Sequence, residues 1–242
     1  MIDRLSIRTR PPGWPVMYQT WGTLLFLHWP VAAERLRPLL APRLSLDTFE
    51  GQAWVSVTPF TIWGIRPVLF PPLPVVSQSH ELNVRTYVHL DGVPGVWFFS
   101  LDASNTLAVL GARAALGLPY FRARMRLRAH NAEIQFASTR AHPGAPPVRF
   151  EGTWVRGESL PSPPPDSLDF FLVERYCLYT LHWGRLYRVR IFHRPWPLCC
   201  VERLSFTSTM LESQGLPTSP DAPRRHAQGE PLRVGIWRLE KV

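Results

Sequence analysis

The sequence predicts a mostly β protein with short helices, an α+β fold in one domain spanning residues 1–242. Three observations carry this. Several segments alternate apolar and polar residues, compact Gly, Pro and Asp turns separate them, and only two or three stretches have helical spacing. With 45% hydrophobic residues among 242, ten of them tryptophan, the chain can build a sizeable core and is not generally disordered.

Residues 1–16 read as an extended N-terminal arm. Residues 18–29 read as one strand, rich in β-branched and aromatic side chains and ended by Pro30. A short helix is expected over 31–40, with Leu36, Leu39 and Leu40 on one face and Pro38 shortening it. Residues 44–49 and 52–59 flank a hairpin turn at Glu50-Gly51. Pro67, Pro71, Pro72 and Pro74 stiffen a loop over 66–76.

Residues 81–90 make the cleanest strand. Leu82, Val84, Thr86, Val88 and Leu90 share one face, and Glu81, Asn83, Arg85, Tyr87 and His89 share the other. After a turn at Asp91-Gly92, residues 96–101 return as a very apolar strand. A helix over 105–116 presents Leu107, Leu110 and Ala114 on one side, and Gly117 and Pro119 stop it. Residues 120–129 alternate again, with arginines opposite Phe121, Ala123, Met125 and Leu127. Further strands are expected over 133–139, 148–156, 176–180, 186–193 and 232–239. A helix over 168–175 follows a proline-rich stretch, a short helix lies near 207–213, and 217–229 is a flexible loop.

Composition bounds the function. No apolar run approaches the roughly 20 residues of a membrane helix, and residues 1–8 lack the apolar core of a secretory leader, so a cytoplasmic protein without a membrane partner is expected. Three cysteines, Cys177 and the adjacent Cys199-Cys200, give no disulfide framework. The formal charge is +9, and all but one of the 27 basic residues are arginines. They are scattered rather than clustered, so nucleic acid is not the expected partner. No glycine-rich phosphate loop, nucleophile elbow or paired histidines occur, so neither a metal nor a cofactor is expected. His28 reads as a structural strand residue.

The informative set is the polar face of residues 81–90. It could be a solvated sheet face. However, the neighbouring strand is apolar on both sides, so the polar set is expected to face an enclosed cavity, with Glu81 and Arg85 roughly 13 Å apart and bracketing it. Arg122, Arg124, Arg126 and Arg128 read as a solvated row, Arg122 being the candidate exception beside Tyr120.

Five runs carry a resemblance: residues 24–31 (LLFLHWPV), 81–88 (ELNVRTYV), 95–102 (GVWFFSLD), 117–121 (GLPYF) and 174–179 (ERYCLY). They resemble the uncharacterised bacterial YqjF-like family, which is distantly similar to acetoacetate decarboxylase. The resemblance implies a cone-shaped, partly closed antiparallel β-barrel with an internal site. It places Glu81 where the decarboxylase has a glutamate and Gly92 at its turn glycine. The decarboxylase's Pro-Lys-Lys stretch falls on Pro119-Tyr120-Phe121, so both lysines are missing. A Schiff base needs an amine of lowered pKa, which guanidinium cannot replace.

The leading expectation is therefore a barrel that binds a small anionic or carbonyl-bearing molecule. Glu81 and Tyr120 would sit at its reactive centre, with Asn83, Arg85, Tyr87, Arg122 and Arg175 as ligand-binding residues. A second reading is a non-covalent lyase or isomerase using Glu81 as general acid or base. A third is a filled barrel that serves in interaction, self-associating through Trp63, Phe70 and the proline-rich loop.

Overall fold

A computed structural model describes residues 2–72, 78–217 and 221–242. The chain opens with a 3-10 turn at Ser6–Arg8 that buries Ile7, then enters β1 (Met17–Gly22) and β2 (Leu25–Val31). These are two strands where the sequence reads one, because Thr23 takes φ +51 and turns the backbone between them. Pro30 lies within β2 rather than ending it, on an exposed position. The expected helix over 31–40 shrinks to α1 (Ala33–Leu36) and a 3-10 turn, Arg37–Leu39, leaving Leu36 buried but Leu39 exposed.

β3 (Ser45–Leu46) precedes the turn at Glu50-Gly51 but pairs with β5 (Gln78–Leu90), not with β4 (Ala53–Pro67). β4 is longer than expected, and the proline loop begins only after it. Residues 73–77, which fall on that loop, lie outside the described residues. Asp91 and Gly92, both at positive φ, then make the tight turn into β6 (Val93–Ala103).

Asn105 caps α2 (Thr106–Leu116) by accepting from the amide of Ala108 at 3.1 Å. Gly117 ends the helix at φ +65, where a Cβ would clash with the Leu181 carbonyl. Its expected packing face is not buried. Leu107, Leu110 and Ala114 are exposed, and Val109 is the buried residue of the helix. β7 (Tyr120–His130), β8 (Glu133–Arg140) and β9 (Arg149–Ser159) form a meander. α3 (Leu168–Val173), capped by Ser167, leads to the hairpin β10 (Cys177–His182) and β11 (Arg185–Phe192).

The end of the chain differs most from expectation. β12 (Leu198–Ser208) runs through the start of the expected helix, of which only a 3-10 turn, Glu212–Gln214, remains. The expected loop over 217–229 contains β13 (Arg224–Gln228), with residues 218–220 outside the described residues. Its polar side chains give no strand signal, and pairing with Leu25–His28 makes it one. β14 (Leu232–Lys241) closes the chain.

All the strands form one 14-stranded sheet, antiparallel except where β6 pairs with β7 and β10. Two additional pairings, β1 with β4 and β5 with β6, fold it into two rings. The shorter runs through β1, β14, β11, β10, β6, β5 and β4. The longer runs through β6, β7, β8, β9, β12, β13, β2, β4 and β5. The rings share β4, β5 and β6 as a common wall, so β5 is covered on both faces. Leu82 and Val84 join Leu25, Val57, Phe136, Phe150 and Trp154 in the apolar core of the longer ring. The alternate residues of β5 face the other compartment.

Candidate functional site

That other compartment is a cavity of about 570 Å³. Every strand of the shorter ring contributes to its wall, and α2, Tyr120, Val173, Arg175 and Trp196 complete it. Most of the lining is aliphatic or aromatic. The exceptions are few: Glu81, Asn83 and Arg85 in a row along β5, then Tyr120, Arg175, Gln19, Thr58 and Cys177.

Glu81 is 5% exposed, and burial lifts its carboxyl to about 8. At neutral pH it is therefore mainly a protonated acid. The Tyr120 hydroxyl reaches both carboxyl oxygens at 3.2 Å. Burial and the neighbouring carboxyl push the phenol well above its usual range, so it stays protonated. Tyr120 is held by its backbone: Leu101 of β6 pairs with it in register, and Arg113 donates to its carbonyl at 2.6 Å. A buried ion pair braces this corner. Asp102, one residue beyond Leu101, accepts from Arg140 Nε at 3.0 Å and Nη2 at 2.8 Å.

The far end of the row is cationic. Arg85 has no carboxylate partner among the described residues, and its Nε and Nη2 are sealed from solvent without hydrogen bonds. Its guanidinium sits 5.5 Å from the Phe26 ring, and burial lowers its pKa. Arg175 stacks on Phe171 at 4.4 Å and on Tyr87 at 4.8 Å, donating to Asp47 at 2.6 Å. Asp47 also accepts from Arg4, so one carboxylate serves two guanidiniums, and Arg175 Nη2 is left unbonded. Asn83 Oδ1, between the two ends, is likewise buried without a partner.

The expected residues divide clearly. Glu81, Asn83, Arg85, Tyr120 and Arg175 all line the one cavity. Tyr87 does not. Its hydroxyl donates to the Leu172 carbonyl at 3.0 Å and meets His28 Nδ1 at 2.9 Å, so it ties β5 to α3 and β2. Arg122 is exposed with the other three arginines of β7 and does not line the cavity. It shares the face of Tyr120, but the cavity wall ends at Tyr120 and that face runs on past it into solvent. His28 is fully buried against Tyr87, and burial with the nearby Arg85 keeps its ring neutral. Among the described residues no group of acidic, His or Cys side chains is arranged to hold a metal.

Sequence reasoning did not find the wall made by α2. Its signal was available: Leu107, Ala108, Gly111, Ala112, Ala115 and Leu116 recur at helical spacing. Trp196 and Cys177 carried no such signal. Burial raises the Cys177 thiol to about 12, so it is a packing residue rather than a nucleophile.

Residues 18–230 match the DUF2071 family, described as uncharacterized conserved proteins. The chain belongs to this family. Uncharacterized protein YqjF of Bacillus subtilis (strain 168) is 40% identical over 232 residues, covering 96% of this chain and 94% of the relative. Among solved structures, the enduracididine biosynthesis enzyme MppR complexed with pyruvate is similar at a TM-score of 0.63 and 13% identity, covering 95% of this chain and 91% of that one. A structure of acetoacetate decarboxylase matches at 0.63 and 13% identity, over 96% and 90% of the two chains. The family resemblance and the decarboxylase-like fold read from the sequence both hold. As a DUF2071 member the chain carries that fold as a ring-like sheet closed in two places. Among the described residues, no helix is long and apolar enough to cross a membrane.

Proposed function

We propose that the chain binds a small carboxylate- or carbonyl-bearing molecule inside the shorter ring, without Schiff-base chemistry. The observation that carries this is the Arg85 guanidinium, without a carboxylate partner among the described residues, in a predominantly apolar cavity. A largely buried guanidinium without a counter-charge is costly, and a ligand carboxylate offsets that cost through a bidentate pair. Arg175 Nη2 and Asn83 supply further hydrogen-bonding groups. Toward the other end, the Glu81 carboxyl and Tyr120 hydroxyl can hydrogen-bond a carbonyl oxygen. MppR, of like fold, was solved with pyruvate, a molecule bearing both groups. A filled barrel, which the interaction reading needs, is not what the shorter ring holds.

The test is thermal stabilisation by pyruvate or acetoacetate. A ligand at 100 times its Kd stabilises by about 2.7 kcal/mol, a readily measured rise in Tm. Arg85→Gln is expected to weaken binding by at least tenfold. No stabilisation of the wild type by either acid, at concentrations up to tens of millimolar, would count against the reading.

The absence of Schiff-base chemistry has its own support. Lys241 is the sole lysine; it is exposed and absent from the cavity wall. Borohydride added with acetoacetate is expected to leave the intact mass unchanged. A reduced adduct on a cavity peptide would overturn this part of the proposal.

One arrangement favours catalysis over binding alone: the Glu81 carboxyl, its pKa raised by burial, lies 3.2 Å from the Tyr120 hydroxyl within the cavity. Such an acid can donate to a carbonyl oxygen and stabilise the enol form. Turnover of an oxo acid by the wild type, lost in Glu81→Gln with binding retained, would identify an enzyme. Stabilisation without turnover would identify a binder.

A further inference from the structure

The cavity holds more room than a three-carbon acid needs, and its polar groups are unevenly placed. Arg85, Asn83 and Arg175 lie on the inner wall. Asn83 and Arg175 are each 4% exposed, and each has an unbonded polar atom. Along the other side the lining is apolar from floor to rim: Val96 and Val173 are buried, while Leu107 at 54% exposure and Val16 at 47% stand where the cavity meets solvent.

Helix α2 shows what this throat is built for. The residues it turns toward the cavity include Ala108, Gly111, Ala112 and Ala115. A glycine inside a helix is destabilising relative to alanine. Nothing in the protein demands one at residue 111, because a Cβ built there meets no atom within 4 Å. The small side chains leave open space in front of the helix. An apolar wall with unfilled volume gains from an apolar occupant.

We infer that the ligand is an amphipathic carboxylic acid: its head is held by Arg85 and Arg175 while an unbranched aliphatic chain lies along the α2 wall toward Leu107 and Val16. This rests on the carboxylate-binding reading above and narrows it to a substrate class. Each methylene that leaves water for this wall is worth about 0.8 kcal/mol, a factor of about four in affinity.

The experiment is a calorimetric titration with straight-chain 2-oxo acids of three to ten carbons, below their micellar concentrations. Wild type, Arg85→Gln and Gly111→Trp are compared. A Cβ at residue 111 meets no atom within 4 Å, and an unchanged Tm checks that the fold is kept. Affinity of the wild type is expected to rise threefold to fourfold per carbon until the chain reaches the rim. Gly111→Trp is expected to flatten this series by filling the throat, and Arg85→Gln to weaken every member of it. Binding of short acids with no gain on lengthening overturns the amphipathic ligand but leaves the carboxylate reading standing. A gain that persists undiminished in Gly111→Trp also overturns it, since the chain then lies elsewhere. Failure of every acid, of any length, to bind the wild type rejects the carboxylate reading itself.

Discussion

Asp102→Ala is expected to destabilise the protein by about 3–5 kcal/mol, the usual cost of leaving one half of a buried ion pair uncompensated. Arg140 is 6% exposed and spends its Nε and Nη2 on Asp102, and its remaining face lies 4.0 Å from the Phe121 ring. Without the carboxylate, that guanidinium has no acceptor and little water. The loss is a large share of a typical folding free energy. For a chain of this length it lowers Tm by roughly 10 °C. The double variant Asp102→Leu, Arg140→Met is expected to recover much of the loss, because it removes the charges together. Urea denaturation of the three proteins decides the matter. A single variant within about 1 kcal/mol of wild type would show that the pair does little to hold the corner where Tyr120 begins its strand.

The second large effect is a pH dependence that Glu81 alone imposes. In the unfolded chain its carboxyl titrates near 4.5, and in the fold near 8. Between those values the folded protein keeps a proton that the unfolded chain has released. Stability from this group therefore falls as pH rises, by about 1 kcal/mol for each unit, and levels off above pH 8. Glu81→Gln removes the titration while keeping the shape. Wild type and variant are expected to be close in stability at pH 5 and to separate by several kcal/mol at pH 8.5, the variant being the more stable. Melting curves at both pH values suffice. A difference that stays constant from pH 5 to 8.5 would mean that Glu81 is ionised in the fold.

Much of the site could be read from one strand. The period of two over residues 81–90 separated the core face from the polar face, and the doubly apolar β6 beside it implied that both were covered. What that pattern could not show is where the cavity stops. Arg85 and Tyr87 stand on the same face of β5, yet Tyr87 is taken up by His28 and Leu172, partners 59 and 85 residues away. Contacts of that range leave no periodic trace. Arg122 was drawn toward the site because alternation puts it on the same face as Tyr120, two residues earlier; the cavity ends at Tyr120, and the next side chain on that face is exposed. β13 shows the converse failure: Arg-Arg-His-Ala-Gln has the composition of a loop, and only its place between β2 and β12 makes it a strand. The α2 wall was misread for a related reason. The sequence singles out the side with Leu107, Leu110 and Ala114, whereas the side that matters is the one kept small.

The pairing of β1 with β14 joins Met17 to Ile236 and Trp21 to Leu232. During synthesis, the first wall of the cavity must wait for nearly the whole chain to be made before its neighbour exists. The longer ring waits only for β12 and β13, so its core residues from β4 to β9 can meet earlier. Contacts this distant along the chain form slowly. The pocket is thus the last part of the molecule to be completed. A ribosome stalled short of β14 would hold a chain with much of its core material but no place to put a ligand.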